Sequence, residues 1–281
     1  MLGYLLPVLY VLFLWWFTTG VVLYLDGLPQ RTYRWTMLGA SVLGVVALAV
    51  LAWTRDDAST LGAYLAFTAG LLVWGWHETS FLMGYVTGPN RAPLTEGAGG
   101  LARFGQALGT MLWHELAIAV TALAIVLLLW DAANPIGMWT FLILWVMRIS
   151  AKLNVFLGVP NLAEQFLPEH LAHLKSYLRR QPMNLLFPVS VTASTVVLAV
   201  MAYEAAAADP GSFTAVAYCL GGGLLALALL EHWFLVLPLA DSALWGWAMR
   251  SRRQAVLDDG AAPHGSTVTL PVRVVPAVGG V

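Results

Sequence analysis

Residues 104–130 read FGQALGTMLWHELAIAVTALAIVLLLW, and this run decides the fold. A bilayer with a hydrocarbon core about 30 Å thick is crossed by a helix of about 20 predominantly apolar residues. His114 and Glu115 are the ionisable residues within the run. The stretch therefore predicts a membrane-spanning helix that places a base and an acid inside the membrane.

The composition of the whole chain is that of an integral membrane protein. Its 281 residues are 59% hydrophobic and 10% charged, with a mean hydropathy of +0.76. Soluble domains have about 45–50% apolar and about 25% charged residues. The formal net charge of −1, without a basic patch, argues against a nucleic-acid partner. The single cysteine, Cys219, excludes an intramolecular disulfide.

Similar apolar windows predict an all-α fold, a polytopic transmembrane helix bundle of about seven spans. The first window has no basic segment before it and no small-residue cleavage site after it, so we expect it to remain in the protein as a helix. The predicted spans are residues 3–25, 36–53, 60–86, 104–130, 135–157, 186–206 and 213–239.

The connection between spans 5 and 6, residues 158–185, is predicted to form a short interfacial helix. Asn161, with Glu164 three residues later, has the pattern of a helix N-cap, and Pro168 suits the start of a short helix. Leucines recur there at helical spacing beside basic residues. Such a helix is expected to lie on an anionic membrane surface.

Basic residues are concentrated on one side of the predicted topology. On the opposite side of the predicted topology, the basic residue is Arg55. Because basic loops stay in the cytoplasm, we expect a periplasmic N-terminus and a cytoplasmic C-terminus. The chain then consists of a transmembrane helical domain, residues 1–250, and a cytoplasmic, mostly disordered tail, residues 251–281. The eleven basic residues on the cytoplasmic side are Arg31, Arg34, Arg91, Arg103, Lys175, Arg179, Arg180, Arg250, Arg252, Arg253 and Arg273.

Three predicted spans each carry a histidine next to a glutamate at a common depth in the cytoplasmic half, about 10–15 Å from that edge. Adjacent residues on a helix lie about 100° apart, so each pair can direct both side chains into the bundle. Imidazole nitrogens and carboxylate oxygens bind Zn and non-haem Fe or Mn. The hypothesised metal ligands are His77, Glu78, His114, Glu115, Glu231 and His232.

Two other interpretations of the pairs stay open. The histidines can be axial ligands of a bacteriochlorophyll-type pigment or its precursor, or interhelical hydrogen-bonding groups that contribute about 0.6 kcal/mol each. Arg148, Lys152 and Asn154 of span 5 are hypothesised to be counter-ions or polar support for the carboxylates. The flat rings expected to contact a tetrapyrrole or an isoprenoid tail belong to Trp76, Trp113 and Trp233.

An H-x-x-H pattern stands in the connection between spans 5 and 6. It consists of His170 and His173, with Glu169 directly before it. Residues three apart are neighbours on a helix surface. The two histidines are expected either to cap the intramembrane site or to face solvent.

Five longer stretches carry a family resemblance. They are LWWFTTGVVLYLDGLP (14–29), WGWHETSFLMGYVTGP (74–89), LWVMRISAKLNVFLGVPNLAEQFLPEHL (144–171), PMNLLFPVSVTAST (182–195) and LEHWFLVLPLADSALW (230–245). On these motifs the chain resembles the PuhE family, photosynthetic-complex assembly proteins of purple and related phototrophic bacteria, over about residues 1–250. The resemblance implies a polytopic protein of the bacterial inner (intracytoplasmic) membrane. It supplies no catalytic residues.

Two functions are compatible with these observations. The first is a factor that supports assembly of the photosynthetic reaction-centre/light-harvesting complex or supply of its pigment, bacteriochlorophyll or a precursor. Its partners would be the lipid bilayer and reaction-centre or light-harvesting subunits. The second is a metal-dependent membrane enzyme that uses Zn or Fe/Mn and acts on a pigment, lipid or quinone-like substrate through the His/Glu cluster.

Overall fold

The computed structural model describes residues 2–162, 164–237 and 244–248, and over these residues it is all-helical. A bridge between Val159 and Arg180 is the one strand-like pairing in this described part. The predicted all-α class is therefore confirmed. The long helices are α1 (Leu2–Asp26), α2 (Tyr33–Thr54), α3 (Thr60–Leu82), α4 (Gly100–Leu129), α5 (Ile136–Leu157), α6 (Leu186–Ala207) and α7 (Phe213–Phe234).

Six of these helices, all except α3, are long and apolar enough to cross a membrane. The sequence of α3 contains the polar run His77, Glu78, Thr79 and Ser80, which lowers its mean hydropathy. The helix is instead enclosed by the others, since it packs against α1, α2, α4, α5 and α7. The prediction of about seven spans thus corresponds to six apolar helices and a more polar seventh in contact with five of them.

Glycines allow α3 and α5 to approach each other closely. A methyl group on Gly70 would lie 2.7 Å from the carbonyl oxygen of Gly137, and one on Gly137 would lie 2.9 Å from the carbonyl oxygen of Ala66. Small residues permit such backbone contact between membrane helices. The contact sets the depth of α5 relative to α3 and therefore decides which of their polar residues meet.

Two predicted spans are too long at their C-terminal ends. Span 3 ends at Leu82 rather than residue 86, because Gly84 adopts a φ of 78° that turns the chain out of the helix. Span 7 ends at Phe234 rather than residue 239. In both places an apolar run continues past the helix, and hydropathy alone does not mark the end.

The connection at 158–185 contains two 3₁₀ helices, Glu164–Phe166 and Glu169–Tyr177, rather than an α-helix. The second begins directly after Pro168, as the sequence predicts. The first 3₁₀ helix begins at Glu164 and Leu162 is not helical, so no helix starts directly after the predicted cap, Asn161. Its side-chain amide instead donates to the carbonyl oxygen of Phe234 at 2.9 Å, and so satisfies an acceptor at the end of α7. The interfacial position of the connection stays a prediction.

The two ends of the bundle differ in charge. At one end the connections between helices contain the acidic residues Asp56, Asp57, Asp131 and Asp209 and the basic residue Arg55. Which end faces the cytoplasm stays a prediction, and the predicted tail, residues 251–281, lies outside the described residues. The basic residues in and beside the connections of the opposite end are Arg31, Arg34, Arg91, Arg103, Lys175, Arg179 and Arg180.

Candidate functional site

The candidate site surrounds the second half of α5, where polar residues occupy every second position: Arg148, Ser150, Lys152 and Asn154. Residues four apart share one face of a helix, whereas Ser150 lies on the opposite side. Arg148 and Lys152 accordingly reach partners on α3 and α4, while Ser150 reaches a partner on α7. α5 therefore connects two groups of polar side chains.

Two ion pairs form on the first side of α5. The Arg148 guanidinium donates to Glu78 with an Nη2–Oε2 distance of 3.1 Å, and the Lys152 ammonium donates to Glu115 with an Nζ–Oε1 distance of 2.6 Å. The side chains of Lys152 and Glu115 are 19% and 20% exposed, whereas that of Arg148 is 43% exposed. Each intramembrane carboxylate on this side thus has a cation as its partner, which removes most of the cost of placing it in lipid.

His77 and His114 lie beside each other inside the bundle. Each is 1% exposed, and their ring centroids are 6.4 Å apart. His77 forms a hydrogen bond with the Thr121 hydroxyl, with an Nε2–Oγ1 distance of 3.1 Å, and the Phe81 ring packs 4.7 Å from the His114 ring. The two imidazoles are therefore part of the packed interior between α3 and α4.

The pair on α7 has different partners. Glu231 accepts a hydrogen bond from the Trp15 indole of α1, with an Nε1–Oε1 distance of 2.7 Å. The His232 Nδ1 donates to the carbonyl oxygen of Ala228 at 2.9 Å, so the neutral ring accepts through Nε2 from the Ser150 hydroxyl, also at 2.9 Å. Both nitrogens of His232 are thus engaged within the protein.

The two side chains of each His-Glu dipeptide lie in different environments. Because adjacent residues lie about 100° apart on a helix, the histidine enters the core while the glutamate meets a donor on another helix. The structure brings His77 to His114 and brings Glu78 and Glu115 to α5, whereas Glu231 meets α1. In the part of the chain that the structure describes, no three His, Cys, Asp or Glu side chains are grouped as metal ligands. The metal centre stays a prediction.

The three tryptophans beside the pairs do not share one surface. Trp76 donates to the Ser41 hydroxyl at 3.1 Å and packs edge-on against His77. Trp113 and Trp233 are 53% and 39% exposed. A tetrapyrrole bound through a histidine needs an imidazole nitrogen that the macrocycle can reach, and His77, His114 and His232, each 1% exposed, offer no such access in this conformation. Pigment binding at these tryptophans stays a prediction.

Several buried polar atoms of the site have no hydrogen-bond partner among the described residues. Most buried polar groups are paired, so unpaired ones call for an explanation. One belongs to the carboxylate of the Arg148–Glu78 ion pair, and the others lie on α3, α4 and α5. The atoms are His77 Nδ1, Glu78 Oε1, His114 Nδ1 and Asn154 Oδ1.

Three partners of the site were absent from the sequence reasoning: Trp15, Thr121 and Ser150. The hydroxyl residues gave no signal because Ser and Thr are common in membrane helices, where they bond to neighbouring helices or to their own backbone. Trp15 did give a signal in the sequence, since it lies well inside an apolar span rather than at its edge.

Comparison with known proteins covers the whole bundle. The family model described as protein of unknown function DUF3623 matches residues 1–256. A relative in Rhodobacter capsulatus, described as an uncharacterized 30.4 kDa protein in the puhA 5′ region, is 41% identical over 250 residues. The match covers 88% of this chain and 91% of the relative. No solved structure matches. The family match spans α1 to α7 and hence every residue of the candidate site.

Proposed function

The chain belongs to the DUF3623 family, and we propose that it is an inner-membrane factor that supports assembly of the photosynthetic reaction-centre/light-harvesting complex or supply of its pigment. The observation that carries the proposal is the location of the relative, in the 5′ region of puhA. That location is in a photosynthesis gene region, and neighbouring bacterial genes often serve one process. The motifs that resemble the PuhE family favour the same role.

The internal geometry supports a non-catalytic role. Glu78 and Glu115 each have a cationic partner, and both nitrogens of His232 are bonded within the protein. Ion pairs and hydrogen bonds of this kind hold helices in one arrangement without needing a substrate. The Glu78 and Glu115 pairs join α3 and α4 to α5, and the His232 bond joins α7 to α5.

The surface supports association within the membrane. α6 packs mainly on α7, and its valines on the other side are exposed, with values of 62% for Val189, 59% for Val196 and 55% for Val200. In a bilayer such a face contacts lipid or another transmembrane helix. Reaction-centre or light-harvesting subunits are the protein partners we propose.

Deletion of the gene in a phototrophic host tests the role. We expect the near-infrared absorption of reaction-centre and light-harvesting complexes in isolated membranes to fall, and a plasmid copy to restore it. Restoration by the plasmid copy excludes an effect on neighbouring genes, and a frameshifted plasmid copy should not restore the absorption, because the protein itself is required. Normal complex levels in the deletion strain would refute the proposal.

We propose that the basic end of the bundle faces the cytoplasm, because basic loops are retained there. Exposed acidic positions at the two ends give a matched pair of probes, Asp56→Cys and Glu96→Cys. In intact spheroplasts, a membrane-impermeant maleimide should label the cysteine at position 56 and not the one at position 96. The native Cys219 is buried and serves as the background. Labelling of both positions or the reverse pattern would overturn this orientation.

A second candidate function is an enzyme acting on a pigment, lipid or quinone-like molecule. The observation that favours it is the group of unpartnered buried atoms on His77, Glu78 and His114. Elemental analysis of gently purified protein tests the metal-dependent form, in which metal should be stoichiometric and should be lost in His77→Ala. Protein without bound metal would remove that form and leave the assembly role.

A further inference from the structure

A polar cavity of about 330 Å³ lies at the basic end of the bundle, apart from the ion pairs of α5. Its walls come from the α1–α2 connection, the chain that follows α3 and the second 3₁₀ helix of the 158–185 connection. The H-x-x-H histidines, His170 and His173, both line it. A 3₁₀ helix has three residues per turn, so residues at this spacing lie on the same face. The 3₁₀ geometry thus explains why both histidines reach one cavity.

The lining is cationic and rich in hydrogen-bond donors. Arg91 faces the two histidines, and Gln30, Tyr85 and Thr87 contribute an amide and hydroxyls. None of the described residues that line the cavity is acidic. Burial and the neighbouring Arg91 lower the pKa of His173, as expected where positive groups converge without a carboxylate.

A metal ion does not fit this lining. His170 donates through Nε2 to the carbonyl oxygen of Leu82 at 2.8 Å, so the two histidines could offer an ion at most two ligand atoms, His170 Nδ1 and one nitrogen of His173. Arg91 would repel a cation, and the described residues provide no third His, Cys, Asp or Glu ligand here. The Arg91 guanidinium, the hydroxyl groups and the imidazole N–H of His173 are instead suitable donors to phosphate oxygens.

We propose that this cavity binds a phosphate group, and that its source is the headgroup of an anionic phospholipid. Basic pockets between the ends of transmembrane helices bind such headgroups. The buried side chains of Met83 and Leu171 give the cavity an apolar wall next to its polar lining. The exposed aromatic ring of Tyr85, at 53%, is of the type enriched at the level of lipid headgroups. The site is independent of the assembly role.

The test uses the full-length protein in nanodiscs of phosphatidylcholine with a small fraction of phosphatidylglycerol, followed by native mass spectrometry of the lipids retained. Wild-type protein should retain phosphatidylglycerol in preference to phosphatidylcholine. Arg91→Gln should weaken this retention roughly fivefold, the effect of about one basic side chain at an anionic surface. His173→Gln should weaken it in the same direction.

Arg34→Gln is the matched control, because Arg34 is exposed at the same end and does not line the cavity. It should retain phosphatidylglycerol like the wild type. Equal losses in Arg34→Gln and Arg91→Gln would show general surface attraction and overturn the site. Wild-type retention in both Arg91→Gln and His173→Gln would overturn it as well.

A second arm separates lipid from soluble phosphate. Inorganic phosphate is titrated into lipid-free protein in a neutral detergent and followed by phosphorus NMR. Binding that depends on Arg91, without selective retention of phosphatidylglycerol, would support the phosphate site and assign it to a soluble compound. Selective retention of phosphatidylglycerol, with weak binding of inorganic phosphate, would support the lipid source.

Discussion

The two sides of α5 hold their neighbours by different means. Toward α3 and α4, charged Arg148 and Lys152 form ion pairs with carboxylates. Toward α6 and α7, Ser150 bonds to a histidine, and the Asn154 amide donates to the Ser190 hydroxyl at 3.3 Å. Removing one member of an ion pair leaves a charge without a counter-ion, whereas removing a hydroxyl leaves a neutral group. The comparison predicts that a substitution facing α3 and α4 costs more than one facing α7.

The largest expected effect is that of Lys152→Met. This substitution leaves the Glu115 carboxylate, 20% exposed, without its partner at 2.6 Å. Breaking a buried ion pair from one side costs about 3–5 kcal/mol, and we expect a loss of at least about 3 kcal/mol here. Unfolding of the purified protein by denaturing detergent would measure the loss.

A double variant, Lys152→Met with Glu115→Gln, is the control for that effect. It removes both charges and keeps similar side-chain volumes, so most of the lost stability should return. If the single and double variants were equally destabilised, the loss would come from packing rather than from the stranded charge.

The next effect in size is that of Arg148→Met. Arg148 is 43% exposed and its contact with Glu78 is longer, at 3.1 Å. The longer contact implies a weaker ion pair, so we expect a loss of about 2 kcal/mol, below the range of about 3–5 kcal/mol for breaking a buried pair. The same unfolding assay applies, with Arg148→Lys retaining part of the stability. A larger loss for Arg148→Met than for Lys152→Met would show that the N–O distance does not rank the two pairs.

Most of the fold follows from the sequence, because length and hydropathy are sufficient to identify helices in a membrane. The predicted 104–130 and 135–157 correspond to Gly100–Leu129 and Ile136–Leu157. The helix ends that were predicted wrongly depend on local geometry. Gly84 turns the chain out after α3, and Asn161 bonds to the end of α7 from more than 70 residues away in the chain. Hydropathy contains neither kind of information.

The residues of the candidate site were predictable, but their pairing was not. A polar residue in an apolar span is conspicuous, and six such residues stood in three dipeptides. Which partner each one meets depends on the rotation and depth of its helix. Contact between Gly70 and Gly137 sets that depth, and two of the partners are a hydroxyl and an indole, Thr121 and Trp15. The sequence contains no pattern that pairs Glu231 with Trp15.

The contact between α1 and α7 is intermediate in kind between the ion pairs and the neutral hydrogen bonds of α5, since a carboxylate there meets a neutral donor. Trp15→Phe keeps the aromatic ring and removes the indole N–H that Glu231 accepts at 2.7 Å. A hydrogen bond to a charged group contributes about 1.5–3 kcal/mol when buried, and the exposure of Glu231 lowers our expectation to about 1 kcal/mol. Trp113→Phe, at a 53% exposed position, is the control and should stay within about 0.5 kcal/mol of the wild type. Equal effects of the two substitutions would mean that the bond to Glu231 adds nothing to stability.

The smallest expected effect is that of Ser150→Ala, which removes the hydroxyl that donates to His232. Hydrogen bonds between membrane helices contribute about 0.6 kcal/mol on average, because the separated helices find other partners for their polar groups. The Nδ1 bond of His232 to its own helix remains, so the ring should keep its orientation. Ser150 is two residues from Lys152 on the same helix, so the same unfolding assay compares the two sides of α5 directly. A loss for Ser150→Ala that equals the loss for Lys152→Met would refute the distinction between the charged and the neutral side, and it would make the bond between α5 and α7 as important to stability as the ion pairs.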